Sequence, residues 1–322
     1  MTILAGIIRH DGLRVPEEWI SRFTQVAMGA AGSAVAVIRP RATPDAVFIA
    51  PEETASDGET DPLLLYAGRL KTRDRAWADL QHTGDAVVEA LDGDVIRALW
   101  QGGTRALRLA SSPLCTRAFF YVAEDDVFAF SSTLRPLLAL PFVSRELDDG
   151  TIGRLLCFDG GGPADATYYR AVKRLPAAHS LDLDRNRLSV RAPPDPVPVP
   201  RAPARVKAED AADTARRLLI EAVESRMGAG ETIAVHLSGG LDSSAIACIA
   251  ARRLRREGRR LLAVCSVLPK AHAGPETDER AFMDAVLAQE DNIDPVWVEM
   301  PPDSDPFAAL PRLLECLADG DF

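Results

Sequence analysis

Residues 232–298 constrain the fold most, because strand-like and helix-like patterns alternate there without a break. An apolar, β-branched run at 232–237 leads into a helix-like stretch at 243–257 that Gly258 is placed to stop. Residues 261–268 and 278–288 repeat that order, and a third strand-like run stands at 296–298. Strand and helix in alternation predict a parallel sheet with helical crossovers, an α/β arrangement. At the first strand-to-helix junction the chain reads Ser238, Gly239, Gly240, Leu241, Asp242, Ser243, Ser244. Glycines there let backbone approach an anion, a helix N-terminus offers unpaired N–H groups, and serines add hydroxyl donors, so phosphate oxygens are the expected guest.

Asp242 does not suit a pure anion cradle. A carboxylate beside phosphates repels them unless a divalent cation stands between. The alternative is that Asp242 caps the helix, as Ser243 and Ser244 also could; among two glycines and three serines the metal reading is preferred for Asp242. Neither a GxxxxGK[ST] loop nor a GxGxxG after a strand occurs, which excludes the common γ-phosphate-transfer and dinucleotide-binding arrangements.

A proline-rich seam at residues 191–206 separates this part from the first, and its prolines favour an extended, semi-rigid connector. Before it, short apolar runs at 3–8, 34–38, 46–50, 119–122 and 127–130 alternate with turn residues, as in a strand-rich α+β domain. After it, Ala212, Ala215, Leu218, Leu219, Ala222 and Val223 form one stripe of a predicted helix over 208–227. The expected domains are 1–190 and 207–322, with 191–206 as linker. The 322 residues are enough for two cores.

The 47 acidic against 37 basic residues, net charge -10, exclude a broad nucleic-acid surface. The five cysteines, Cys115, Cys157, Cys248, Cys265 and Cys316, form no CxxC pair and suggest buried thiols in a reducing compartment. The start, MTILAGIIRHDG, is unlike a signal peptide, and no stretch is long enough to span a bilayer, so a cytoplasmic location without membrane partners is expected. His10, His82, His179 and His272 lack metal-ligand spacing, and the arginines of 252–260 read as a solvated helix face. Asp278 and Glu279 read first as acids at a helix start, with a place near the nucleotide as the minority view.

SGGLDSS resembles the pyrophosphate loop of ATP pyrophosphatases, which cleave ATP to AMP and pyrophosphate and leave an adenylated carboxyl group. With it stand YAGRLKTRD at 66–74, GDVIRALW at 93–100, SSPLCTRAFFY at 111–121, FAFSSTLRPLLALP at 128–141 and TYYRAVKRLPAAHSL at 167–181. In this order the segments resemble the asparagine synthetase superfamily over nearly the whole chain. The resemblance implies a glutaminase-like Ntn domain of αββα layers, followed by a parallel-sheet domain of the adenine nucleotide α-hydrolase type. It also implies ATP and magnesium as cofactors, with Asp242 on the metal, Ser238–Ser244 on the pyrophosphate, and His236, Leu237, Ser266 and Val267 near adenine. Strand core is an equal reading for Leu237 and Val267, and a satisfied histidine for His236.

Glutaminases of this superfamily place a cysteine directly after the initiator methionine, whose removal frees an α-amine as base. Here Ala5 stands at that position inside the chain, and Thr2, the one hydroxyl that could become terminal, is three residues out of register. The first domain is therefore expected not to release ammonia. A synthetase without ammonia must take its amine from elsewhere, and the simplest source is an amine on the substrate itself, which implies ring closure. Lasso peptide cyclases and β-lactam synthetases of the superfamily both fit, and an asparagine-synthetase-like ligase using another amine remains open. GPETDERAF at 274–282 and SGGLDSSAIA look most like the cyclase branch, whose partners would be a precursor peptide and a leader peptidase. A non-catalytic nucleotide- or peptide-binding scaffold is the reading from another class. Only three strands are legible after 232, fewer than the about five or more that such a domain needs; the resemblance implies that the catalytic residues and a second magnesium carboxylate lie beyond Phe322, and the 322 residues are expected not to turn over alone.

Overall fold

A computed structural model describes residues 3–30, 34–52, 61–70, 93–112, 117–157, 162–185, 187–193, 207–228, 232–269, 274, 278–299, 305 and 308. The chain divides into two compact units at Val197 and Pro198, inside the proline-rich seam. Thr2, Cys115, Cys316, His82 and His272 lie outside the described residues.

The first unit stacks two antiparallel sheets. The six-stranded sheet contains β1 (Ala5–Arg9), β2 (Val35–Ile38), β3 (Ala46–Pro51), β7 (Phe119–Ala123), β8 (Val127–Ser131) and β9 (Lys173–Leu175), in the order β2-β3-β1-β8-β7-β9. The five-stranded sheet contains β4 (Leu63–Leu70), β5 (Gly93–Gln101), β6 (Ala106–Ser111), β10 (Ser180–Asp184) and β11 (Arg187–Arg191), in the order β11-β10-β6-β5-β4. Arg191 still pairs with Ser180, so the first unit's last strand runs one residue past the expected boundary at 190.

Side chains alternate along each strand and separate two cores. Leu4, Ile8, Phe48, Phe128 and Phe130 pack between the sheets with Leu65, Ile96, Trp100 and Leu109. Ala5, Ile7, Val47, Ile49 and Ala129 point the other way, against Ile20, Phe23 and Ala27 of helix α1 (Glu17–Ala30) and Leu137 of α2 (Leu134–Leu138). A short helix α3 (Asp149–Leu156) follows, capped by the Asp148 carboxylate, which accepts from the Thr151 N–H at 2.6 Å. On the outer face of the five-stranded sheet Leu64, Tyr66, Val95 and Leu99 are also buried, so that face is covered too. Burying each large apolar side chain contributes roughly 1.5–3 kcal/mol, and this doubly buried sandwich explains why strand runs in the first half read as nearly continuous apolar stretches.

His10, at the end of β1, donates its backbone N–H to Asp126 O and has Arg105, Asp126 and Asp11 around its ring. Burial, reinforced by the Arg105 charge, holds its pKa below the ordinary value. The unfolded chain therefore takes up a proton on His10 first as pH falls. Stability of the first unit is expected to decline as pH drops below about 6.5, the unfolded value, and to level off below the lower folded one. Urea unfolding across pH 8 to 5 reads this, and His10→Gln should remove that part of the slope.

The second unit begins with α4 (Ala208–Glu224), followed by β12 (Ala234–His236), α5 (Leu241–Arg256), β13 (Leu261–Val267), α6 (Arg280–Gln289) and β14 (Ile293–Glu299). The three strands form a parallel sheet in the order β12-β13-β14, as the alternation predicted. Ala247, Ala250, Ala251 and Leu254 recur on one face of α5 and pack with Met283 and Val286 of α6 on Leu261, Ala263 and Cys265 of β13. Helix α5 ends as Gly258 predicted. Gly258 adopts φ 69°, its N–H donates to Arg255 O at 3.0 Å, and the Arg259 N–H donates to Leu254 O at 2.9 Å, which is a Schellman cap.

Two expectations need correction. The predicted stripe on α4 is not buried: Leu218 and Leu219 are exposed, and only Val223, with Met227 just beyond the helix, packs against the core of this unit. Among the described cysteines Cys157 is exposed, because it follows the last turn of α3 at the surface, whereas Cys265 is buried and Cys248 half-buried. Burial pushes the thiols of Cys248 and Cys265 above their usual range, which leaves them unreactive.

Helix α5 is tied to the end of α6 by one buried carboxylate. Glu290, 2% exposed, accepts from Arg252 Nε at 2.6 Å and from Arg255 at 2.8 Å, while both arginines remain largely exposed. Asn292 adds a donor pair to Ala251 O and Arg259 O. Glu290→Gln removes the charge from both bonds and is expected to destabilise this unit by about 1–3 kcal/mol in urea unfolding.

Candidate functional site

The site forms where β12 gives way to α5. Gly239 takes φ +85°, a left-handed conformation, and the bend it makes places Gly240 as the N-cap of α5. Gly240 has no side chain to cap the helix, and its carbonyl accepts from the Ser244 N–H at 3.0 Å. The N–H groups of Leu241, Asp242 and Ser243 therefore face outward with no intrahelical acceptor. Three donors at the positive end of a 16-residue helix form a place for phosphate oxygens.

Gly239 also sits against the start of α6. A Cβ at this position would lie 2.9 Å from the Glu279 carbonyl oxygen and 3.1 Å from Phe282 Cβ. The loop and the N-terminal end of α6 are therefore packed backbone to backbone. Sequence reasoning read Glu279 first as an acid at a helix start, with a place near the nucleotide as the minority view, and missed this contact; Gly239, the first of two consecutive glycines, was its only signal. Glu279 is the N-cap residue of α6 without a side-chain cap bond, and Asp278 does that work by accepting from the Arg280 N–H at 3.0 Å.

The loop is braced from within. The Ser243 hydroxyl accepts from the Ser238 N–H at 3.2 Å, lies 3.0 Å from the Ser238 hydroxyl, and donates to Gly240 O at 3.2 Å. Asp242 is exposed at the second position of α5 and caps nothing, so the capping reading does not describe it. Among the described residues no group of three His, Cys, Asp or Glu side chains could hold a metal ion by itself. Asp242 fits magnesium as a single protein ligand, since that ion is commonly held by one or two carboxylates together with substrate phosphates.

The four residues placed near adenine divide in two. His236 and Ser266 end adjacent strands on the sheet face opposite α5 and α6, both exposed, with His236 Nε2 3.3 Å from Ser266 Oγ. Leu237 is fully buried and Val267 packs against the same core, so their side chains belong to the interior and only their backbone is left for a ligand. In the first unit Ala5 is fully buried within β1, paired to Ile49 on one side and Ser131 on the other. Among the described residues no helix is long and apolar enough to cross a membrane.

Comparison with known proteins agrees with this layout. Residues 77–192 match the glutamine amidotransferase domain family, and residues 214–316 match the asparagine synthase family. The first match ends before the division at Val197 and Pro198, and the second begins after it. It is 26% identical over 212 residues to asparagine synthetase [glutamine-hydrolyzing] 3 of Bacillus subtilis, a match covering 66% of this chain and 33% of that protein. The chain thus spans about a third of the length of the curated relative it matches. Similar solved structures include the glutamine phosphoribosylpyrophosphate amidotransferase of B. subtilis, at TM-score 0.40 and 11% identity over 93% of this chain and 90% of that one. A structure described as the allosteric regulatory enzyme of purine biosynthesis matches at TM-score 0.40 and 11% identity, over 94% of this chain and 82% of that one. The stretch that matches the asparagine synthase family contains the SGGLDSS loop, and Ala5 lies before the stretch that matches the amidotransferase family.

Proposed function

We propose that this chain is the ATP-binding part of an AMP-forming amide ligase. The observation that carries this reading is the Gly239–Gly240 bend, which leaves three N–H groups of α5 open at the carboxyl end of a parallel sheet. Ligands of open parallel sheets lie at that end. The loop N–H groups would hold the pyrophosphate leaving group, and Asp242 would hold a divalent cation. Magnesium, when bound there, supplies charge neutralisation to the departing phosphates. His236 and Ser266 would face the nucleoside on the open side of the sheet.

The amine is the distinguishing question. Ala5 offers no nucleophile, is fully buried, and is held between two paired strands, which argues against ammonia made in the first domain. An amine carried by the substrate is the simplest replacement. The finer proposal is a lasso peptide cyclase in the cytoplasm, adenylating an Asp or Glu side chain of a precursor peptide exposed by a leader peptidase. Attack by the peptide's N-terminal amine then closes a macrolactam and releases AMP. The experiment combines this chain with the remainder of an asparagine synthase domain, ATP, magnesium and a peptide bearing a free N-terminus and an internal Asp or Glu. A product lighter by one water, with ATP–pyrophosphate exchange dependent on that carboxylate, is expected. Amidation of free aspartate with no change in the peptide would instead favour the asparagine-synthetase-like reading.

A further inference from the structure

The first unit holds a cavity for which the ligase reading has no use. It measures about 300 Å³, at the small end of the range for ligand pockets, and lies on the outer face of the five-stranded sheet. Two rows of cross-strand neighbours form its floor, Leu99–Arg108–Asp182 and Gln101–Ala106–Asp184, running over β5, β6 and β10. Leu107 and Leu183 stand between these rows along the strands and point the other way, into the core between the sheets. Arg191 joins the lining from β11.

We infer that this cavity binds a free α-amino acid, with its carboxylate at Arg191 and Arg108 and its ammonium at Asp184. Asp182 organises the first end. Its Oδ1 accepts from Arg108 Nε at 2.6 Å and its Oδ2 lies 2.6 Å from Arg191 Nε, so one largely buried carboxylate holds two guanidinium groups beside each other. Arg191 meets Asp182 through Nε, its side chain is 59% exposed, and its terminal nitrogens have no partner among the described residues. A guanidinium fork matches a carboxylate with two parallel hydrogen bonds. Asp184 supplies the other end: it is exposed, makes no ion pair among the described residues, and stands two residues along β10 from Asp182, about 7 Å.

The charges of the lining decide the class of ligand. Arg108 and Arg191 balance Asp182 and Asp184, so an anion or a cation alone would leave the cavity with an uncompensated charge, whereas a zwitterion keeps the balance and meets both ends. Leu99 and Ala106 are the apolar side chains of the floor, which favours an aliphatic side chain on the amino acid.

Calorimetric titration of the full chain with L-leucine tests this, beside acetyl-L-leucine, which lacks the ammonium, and L-leucinamide, which lacks the carboxylate. L-Leucine is expected to bind, and each blocked form to bind at least roughly tenfold more weakly, the loss of one charge-assisted interaction. Arg191→Gln should weaken L-leucine by a similar factor and leave L-leucinamide unchanged. Asp184→Asn should weaken L-leucine and leave acetyl-L-leucine unchanged. Both side chains are exposed, so the thermal midpoint of either variant should stay within about two degrees of the parent. Failure of L-leucine to bind, equal binding of the blocked forms, or L-leucine affinity unchanged in Arg191→Gln would each overturn the assignment. MgATP affinity should be the same in both variants as in the parent, so this outcome is read apart from that of the nucleotide site.

Discussion

Asp242→Asn is expected to lower MgATP affinity at least roughly 100-fold while leaving the nucleotide-free protein folded. Outer-shell changes around a metal already cost about 10–100-fold, and removing the carboxylate that the proposal above puts on the ion exceeds that. The side chain is exposed and has no hydrogen-bond partner among the described residues, so the fold loses little when the charge goes. What it does lose is the favourable placement of an acid in the first turn of α5, worth about 0.3–1 kcal/mol. The two effects differ enough in size to be read in one thermal series. Without ligand the midpoint should fall by a few degrees at most, whereas the upward shift given by MgATP to the unsubstituted chain should vanish. If Asn at 242 keeps most of that shift, with the same magnesium dependence, Asp242 does not hold a cation.

Much of this arrangement was legible because its signals are local. Alternating strand and helix patterns after 232 come from side-chain periodicity, and the parallel sheet follows from them. Gly258 marked the end of α5 because a left-handed residue closing a Schellman cap is nearly always glycine. The site was harder to read. SGGLDSS identifies a loop, yet which serine braces it depends on a contact between Ser238 and Ser243 across a bend, and residue types alone do not encode that bend. Leu237 illustrates the same limit from the other side. It lies next to His236 in sequence, but neighbouring strand residues face opposite sides, so one is core and the other exposed. The stripe on α4 failed for a third reason: amphipathic spacing shows which face could be buried and says nothing about whether a partner is present.

Gly239→Ala is expected to damage both the fold of the second unit and its nucleotide binding, whereas Gly240→Ala should affect binding alone. The two glycines are adjacent but meet different constraints. At 239 the backbone is held at φ +85°, where an L side chain costs about 1–2 kcal/mol. The added Cβ would also lie 2.9 Å from the Glu279 carbonyl oxygen and 3.1 Å from both Glu279 Cβ and Phe282 Cβ. The closest of these atoms is backbone, so relief requires moving the start of α6 and not merely a rotamer. Overpacking of that kind adds about 1–3 kcal/mol, for a combined loss of roughly 2–5 kcal/mol in urea unfolding. At 240 the backbone has φ -66°, which any residue adopts, and a Cβ would meet only Ser238 Oγ, at 3.5 Å. Stability of Gly240→Ala should therefore stay within about 1 kcal/mol of the parent, since an Ala at a helix N-cap costs about that much relative to Gly. Its Cβ would add bulk at the N-cap of α5, next to the proposed phosphate position, so MgATP should still bind more weakly. Equal losses of stability at the two positions would mean that the contact between Gly239 and α6 does not hold the loop in place.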